Sequence, residues 1–168
     1  MFKVSNRSRL FLIMLVGVFV IGFIGTSSAQ EKKIKPKNLP AAVKSAFKNE
    51  YPNAKIIGAS TEKEKGRRYY EIESKDGTVG RDLLYTADGK VTEIEETIPA
   101  SALPSEVMNS LSKEYPKATI QKAEKLTKGS ELTYELKVKI GKKTKEIVFD
   151  PAGKIVPKVN DEEEDEKD

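Results

Sequence analysis

The chain has 168 residues, of which 33% are charged, and it contains neither cysteine nor histidine. Their absence excludes disulfides, thiolate nucleophiles, Ser-His-Asp and Cys-His triads and the usual zinc ligand sets. The glycines are scattered singly and form no phosphate-binding loop. The composition therefore predicts a protein that is not an enzyme and that has no cofactor and no metal site.

Residues 1–29 have the order of a secretory signal peptide. Three basic residues precede a nearly continuous apolar run over residues 10–24, and the small residues Ser27, Ser28 and Ala29 follow. The run is shorter than the roughly 20 residues of a membrane-spanning helix. We therefore expect cleavage before Gln30, the alternative being an uncleaved N-terminal anchor. The prediction is a periplasmic or secreted protein with no stable membrane span after cleavage.

The positive charge of the whole chain comes partly from this leader and is masked by an acidic C-terminal stretch. Without residues 1–29 the chain has 27 basic and 26 acidic residues, and residues 161–168 contain seven of the acidic ones. A pI of this origin gives little support to nucleic-acid binding, so no nucleic acid is expected as a partner. Residues 160–168 are predicted to be a disordered, solubilising tail. Cation binding by this tail is the alternative, although the stretch lacks the glycine and the spacing of a calcium loop.

An internal repeat runs through the mature chain without a gap, at an offset of 64 positions, which is 103 minus 39. Four short elements recur: Leu-Pro at 39 and 103, Glu-Tyr-Pro at 50 and 114, Tyr-Glu at 70 and 134, and Gly-Lys at 89 and 153. Proline, glycine and tyrosine at corresponding points indicate a duplication. The predicted organisation is a linker over residues 30–37, a first repeat over 38–99 and a second repeat over 100–159.

Each repeat is predicted to open with a short helix. Apolar side chains recur every four residues from Leu39 to Tyr51 and again from Leu103 to Tyr115. Pro40 suits the first turn of the first helix, as Pro104 does in the second, because neither position needs an amide hydrogen there. A helix of about 11 residues is not stable alone in water, so it must pack on the sheet that follows it.

Four alternating runs follow each helix and predict strands, over residues 55–63, 67–74, 79–86 and 90–98 and again over 119–126, 131–140, 143–150 and 154–159. The predicted fold class is α+β, with two tandem α-β-β-β-β repeats. Their eight strands are expected to form one continuous antiparallel sheet with the helices on one face.

The motif order is Leu-Pro-x-x-Val, Tyr-Pro-x-Ala-x-Ile, Tyr-Glu-Ile or Tyr-Glu-Leu, and a Gly-Lys hairpin. It resembles the PepSY-like family of exported bacterial proteins, and its organisation is similar to that of the beta-lactamase inhibitor protein. The resemblance covers nearly all of residues 38–159. It implies an extracytoplasmic, non-enzymatic domain that binds or restrains proteins. The inhibitor's disulfide and tryptophans have no counterpart here, so inhibition of a beta-lactamase is not implied.

Alternation along the second run, residues 67–74, separates side chains that face the core from side chains that face solvent. Tyr70 and Ile72 are predicted to be core, and therefore Arg67, Tyr69 and Glu71 project to the opposite face. The repeat places Glu135 on that face too. Because tyrosine beside arginine is enriched at protein contacts, these four residues are the candidate binding site. The alternative is that this is only the solvent-exposed face of a strand. The same interpretation is favoured over a catalytic role for paired carboxylates such as Glu71 and Glu73.

The lysines at 142, 143 and 145 have two interpretations, a guard against sheet-to-sheet aggregation or a contact with an anionic surface. The sequence as a whole predicts an exported, non-catalytic binding or inhibitory module that recognises another protein in the cell envelope. The alternative is a structural or adhesive envelope protein that binds polyanions or cations.

Overall fold

The computed structural model describes residues 31–64 and 66–157. The predicted signal peptide and the predicted acidic tail lie outside the described residues. Within the described part, no helix combines the length and the apolar character that a membrane crossing requires.

In the described part of the chain, nine strands form one antiparallel sheet in which every strand lies beside its neighbours in sequence. In chain order the elements are β1 (Lys32–Lys33), α1 (Ala41–Glu50), β2 (Lys55–Glu64), β3 (Arg67–Asp76), β4 (Val79–Thr86), β5 (Val91–Ile98), α2 (Ser105–Glu114), β6 (Ala118–Lys128), β7 (Glu131–Ile140), β8 (Lys143–Phe149) and β9 (Ile155–Val156). A 3₁₀ helix precedes each α helix, at Pro36–Asn38 and Ala100–Ala102. The α+β class and the antiparallel sheet are as predicted. The predicted count of eight strands missed β1, which lies in the segment expected to be a linker.

Each helix begins one residue after the proline that was predicted to lie in its first turn, and it ends at the residue before the tyrosine. The carbonyl of Pro40 accepts a hydrogen bond from the Lys44 amide at 3.1 Å, and Pro104 accepts one from Met108 at the same distance. Each proline lies immediately before the first helical residue, where its missing N–H costs nothing. The amide of Tyr51 closes the last turn of α1 by donating to the Phe47 carbonyl.

Each helix packs on its own group of strand residues. The cluster that includes α1 consists of Leu39, Val43, Phe47, Ala59, Ile72, Leu83 and Tyr85. The cluster that includes α2 consists of Leu103, Val107, Leu111, Ala123, Tyr134, Leu136, Val138, Ile147 and Phe149. Full burial of a valine, leucine or isoleucine side chain contributes about 1.5–3 kcal/mol, so these clusters provide the main stabilisation of the sheet and helices.

The two repeats join through β5, which pairs with β4 of the first repeat and with β6 of the second. Along β4, Val91 takes the place that Ile155 of β9 takes along β8, since the positions differ by 64. Along β6, Glu96 and Thr97 pair with Lys125 and Glu124. Lys32 and Lys33 of β1 pair with Thr61 and Ser60 of β2, 64 positions earlier. Strand β5 therefore combines a counterpart of β9 with a counterpart of β1.

Candidate functional site

Side chains of β3 alternate between the core and the opposite side of the sheet. Ile72 is fully buried in the cluster beneath α1, and Tyr70 is partly buried against the same cluster. Arg67, Tyr69 and Glu71 alternate with these residues and therefore project to the other side. We call that side, with the cross-strand neighbours of these three residues, the polar face. Tyr70 was predicted to be a core residue, which implied full burial, but its side chain is half-buried.

A hydrogen-bonded row crosses the polar face at Glu71. Its members are paired in register across five strands: Ser60, Glu71, Leu84, Glu93 and Lys128. The Ser60 hydroxyl donates to Oε2 of Glu71 at 2.7 Å, and Nζ of Lys128 lies 3.1 Å from Oε2 of Glu93. Glu93 is only 3% exposed. The row therefore holds two separate polar pairs, Ser60 with Glu71 and Lys128 with Glu93, and Leu84 lies between them.

Glu62 lies beside this row and opposite Tyr69 in the register of β2 and β3. Burial raises the pKa of the Glu62 carboxyl above its ordinary value, and the negative charges of Glu71, Glu64 and Glu93 raise it further, while Lys128 lowers it. The environment of Tyr69 is thus acidic, and a positively charged group approaching it would relieve the repulsion.

A second row carries carboxylates across the same half of the sheet. Glu73, Asp82 and Glu95 are paired in register on β3, β4 and β5. Gly58 of β2 faces Glu73, and a Cβ at Gly58 would lie 2.6 Å from the Glu73 carboxylate. Nevertheless, the residues that the structure describes include no group of three or more acidic side chains placed to hold a metal ion. The acidic half of the polar face is therefore a charged surface.

Glu135 lies on the polar face but apart from the other three candidates. It pairs with Glu124 of β6 and with Val148 of β8. Three strands lie between β3 and β7, so four inter-strand spacings put the two strands roughly 19 Å apart across the sheet. The structure therefore brings Arg67, Tyr69 and Glu71 together on one strand and places Glu135 in the second repeat, among lysines such as Lys122, which contacts Glu124.

Sequence reasoning missed Ser60, Leu84 and Glu93 as members of this face. The run Leu83-Leu84-Tyr85 offered a signal for Leu84, because consecutive apolar residues on a strand fill both faces. No such signal marked Glu93, whose neighbours are set by the pairing of β4 with β5. A shift in the pairing register next to Leu84 determines which residues of β5 lie on the same face as Glu71.

Comparison with known proteins places the sequence in a family. A model of the family described as "Putative beta-lactamase-inhibitor-like, PepSY-like" matches the chain twice, at residues 26–93 and 68–156. The two matches together span residues 26–156, which is well over half of the 168 residues. No curated protein matches the sequence significantly.

Solved structures from Bacteroides share the fold. A BLIP-like protein from Bacteroides fragilis is 20% identical with a TM-score of 0.54, and the alignment covers 73% of this chain and 90% of that one. A protein from Bacteroides eggerthii, described among "putative periplasmic proteins", is 19% identical with a TM-score of 0.58, covering 70% and 86%. A DUF2874 family protein from Bacteroides uniformis is 19% identical with a TM-score of 0.57, and the alignment covers 70% of this chain and 86% of that one. The periplasmic description agrees with the periplasmic or secreted location predicted from the leader.

Proposed function

The chain belongs to the PepSY-like, beta-lactamase-inhibitor-like family, and from this premise we propose that it is an exported, non-catalytic module that binds another protein in the cell envelope. The family resemblance inferred from the sequence motifs is confirmed. The contact surface in this proposal is the polar face, with Arg67, Tyr69 and Glu71 as its centre and Glu135 at its second-repeat end.

The proposal depends on both helices covering the same side of the sheet, which we infer from the register. Leu83, in the cluster beneath α1, pairs with Ile94 of β5. Ile98, four residues further along β5, pairs with Ala123, and Ala123 pairs with Leu136 in the cluster beneath α2. Directly paired residues share a face, as do residues four apart on a strand, so the two clusters lie on one side. The polar face then lies opposite both helices.

The size and chemistry of the polar face suit a protein partner. Seven full strands spaced about 4.8 Å apart and about nine residues long give a face of roughly 1,000 Å², compared with the roughly 800 Å² that each partner buries in a typical specific complex. The first-repeat half is dominated by carboxylates, and Tyr69 is its aromatic anchor. Such a surface favours a partner that presents lysine or arginine.

The observation that carries the proposal is the alternation along β3. Tyr70 and Ile72 contact the core, whereas Arg67, Tyr69 and Glu71 point to the side where the carboxylates collect. Tyrosine and arginine are the residues most often responsible for binding energy at protein interfaces. The lack of histidine and cysteine in the sequence supports binding rather than catalysis as the role of this face.

Affinity capture of native envelope proteins on the mature chain, followed by mass spectrometry, identifies a partner. Binding of that partner to variants of the chain then tests the proposal. Tyr69→Ala is expected to weaken the binding of that partner by about 1–2 kcal/mol while leaving the unfolding midpoint of the chain nearly unchanged. Tyr134→Ala is the matched control, because its ring is buried in the core and its loss should cost about 3–5 kcal/mol of stability. A partner that binds Tyr69→Ala as tightly as the parent would rule out the polar face.

Ionic strength separates this proposal from the alternative of a structural or adhesive envelope protein. Retention on a polyanion should fall steeply between about 50 and 200 mM salt. A complex anchored by a desolvated Tyr69 should lose much less affinity over the same range. Capture that disappears in moderate salt for both parent and Tyr69→Ala therefore favours the adhesive role.

A further inference from the structure

Positive charge is concentrated in α1 and in the segment that leads into it. Six lysines lie between Glu31 and Glu50, and no acidic residue lies among them. Lys33 projects to the polar face, because it pairs with Ser60. The other five are all exposed, and we call them the lysine cluster: Lys32, Lys35, Lys37, Lys44 and Lys48. The cluster is therefore a charged surface that is open to solvent.

The fold brings the members of the lysine cluster together. Lys44 and Lys48 are four residues apart on α1, so their side chains leave the helix on the same side. The ammonium of Lys44 donates a hydrogen bond to the carbonyl oxygen of Lys37 at 3.3 Å, and that of Lys48 donates to the Pro52 carbonyl at 2.9 Å. Among the described residues, no carboxylate forms an ion pair with any member of the cluster. Its charge is thus not neutralised by the folded part of the chain that the structure describes.

The second repeat shows that the fold does not require these lysines. Its 3₁₀ helix and α2 have the same lengths as their counterparts and begin 64 residues later. The residues at the five equivalent positions are Glu96, Pro99, Ser101, Met108 and Ser112. A guard against sheet-to-sheet aggregation explains Lys32 alone, because the other four members do not lie on a strand. The positive charge therefore has a role other than folding.

The chemistry of the lysine cluster favours a surface with many anionic groups over a single anionic ligand. Residues 31–50 contain no arginine, and their one aromatic side chain, Phe47, is buried. The segment therefore lacks both the planar fork that recognises one phosphate and the exposed ring on which a nucleic-acid base stacks. Several lysines side by side are instead typical of segments that bind anionic lipid headgroups. The predicted leader ends at Ala29, three residues before Lys32, so export brings the cluster to the surface of a bilayer.

We propose that the lysine cluster binds the surface of an anionic phospholipid bilayer and holds the protein there with α1 against the headgroups. Ile72 of β3 is buried beneath α1, whereas Tyr69 and Glu71 project to the opposite side of the sheet. A chain bound through α1 therefore turns its polar face away from the bilayer, where a partner protein can reach it. The lysine cluster is separate from the polar face, and its role goes beyond the proposed function.

Cosedimentation of the mature chain with vesicles tests the proposal. The parent should bind vesicles made of equal parts of phosphatidylglycerol and phosphatidylcholine, and it should not bind vesicles of phosphatidylcholine alone. The double change Lys44→Gln and Lys48→Gln should weaken binding about 20- to 30-fold, because each lysine near an anionic surface contributes a factor of about five. The matched control is Lys113→Gln with Lys117→Gln, which removes the same charge from exposed positions at the end of α2. It should weaken binding less than about threefold, since salt screens charges that do not reach the surface.

The proposal is overturned if the parent does not bind the anionic vesicles, if it binds both kinds of vesicle equally, or if the two double variants bind alike. Two further results would overturn it by identifying another occupant. Binding of soluble polyphosphate without binding of vesicles would assign the cluster to a dissolved polyanion. Vesicle binding that requires deletion of residues 161–168 would assign it to the chain's own acidic segment. Tyr69→Ala should bind vesicles as tightly as the parent, which keeps this test separate from that of the polar face.

Discussion

The guanidinium of Arg81 lies 4.9 Å from the centre of the Tyr51 ring and joins the end of α1 to the strands beneath it. The same side chain pairs with Glu96 and is 15% exposed, so it connects helix, β4 and β5 in a partly desolvated position. The ring of Tyr51 also contacts Phe47, at 5.7 Å between centroids. A cation over an aromatic face contributes about 0.5–2 kcal/mol, and the contribution grows as the pair is desolvated.

Replacement of Arg81 by methionine should therefore destabilise the protein by about 1–2 kcal/mol, because it removes the cation but keeps an apolar stem. Lys145→Met is the matched control, since exposed Lys145 lies over Tyr115 and lacks the carboxylate partner that Arg81 has among the described residues. It should cost less than about 0.5 kcal/mol. Urea unfolding measures both. Equal losses for the two variants would show that the ion pair with Glu96 contributes nothing.

Gly89 and Gly153 close equivalent hairpins against the first turns of the two helices. Gly89 has φ +87°, and a Cβ there would lie 2.7 Å from the Ala42 carbonyl oxygen. Gly153 has φ +79° and would meet the Glu106 carbonyl. Alanine at either position should cost about 3 kcal/mol or more, since it combines a left-handed backbone with a clash against a helix backbone.

Gly77 is the control that separates these two effects. It has φ +58°, and no atom lies within 4 Å of its added Cβ. Gly77→Ala should therefore cost only the backbone term of about 1–2 kcal/mol. Thermal or urea unfolding of the three variants gives the comparison. If Gly77→Ala were as damaging as Gly89→Ala, the close approach of hairpin and helix would not be the reason for glycine at 89.

The sequence was sufficient to predict the parts of this fold that repeat. Both helices and eight of the nine strands in the described residues follow from the 64-residue offset and from local periodicity. Strand β1 was missed because two lysines carry no alternation, and it becomes evident only as the counterpart of Glu96 and Thr97 in β5. β9 was predicted over residues 154–159, of which 158 and 159 lie outside the described residues, and the described strand is Ile155–Val156.

The candidate site was less accessible to sequence reasoning than the fold. Parity along a single strand predicted that Tyr69 and Glu71 share a side, and the register agrees. Which residues of other strands join them depends on pairing register, including the shifts at Ile56/Gly58 and Leu84/Tyr85. A one-residue shift moves every later side chain to the other face. For this reason Glu93 was missed and Glu135 was grouped with residues about four strands away.

Glu62 should make stability depend on pH in a direction opposite to that of most carboxylates. Its pKa is raised above the ordinary 4.5 by burial and by Glu71, Glu64 and Glu93, so the folded protein binds the proton more tightly than the unfolded chain. Stability is therefore lost as the pH rises through this raised pKa. Glu62→Gln should stabilise the protein at pH 7 by less than about 1 kcal/mol, and the gain should vanish below about pH 4.

Urea unfolding of Glu62→Gln at pH 7 and at pH 3.5 measures this difference. The control is Glu131→Gln, because Glu131 is exposed and lies opposite Lys128, so the substitution removes no repulsion. That variant should show no gain at pH 7. A gain for Glu62→Gln that is equally large at pH 3.5 would mean that packing, and not charge, is the cause.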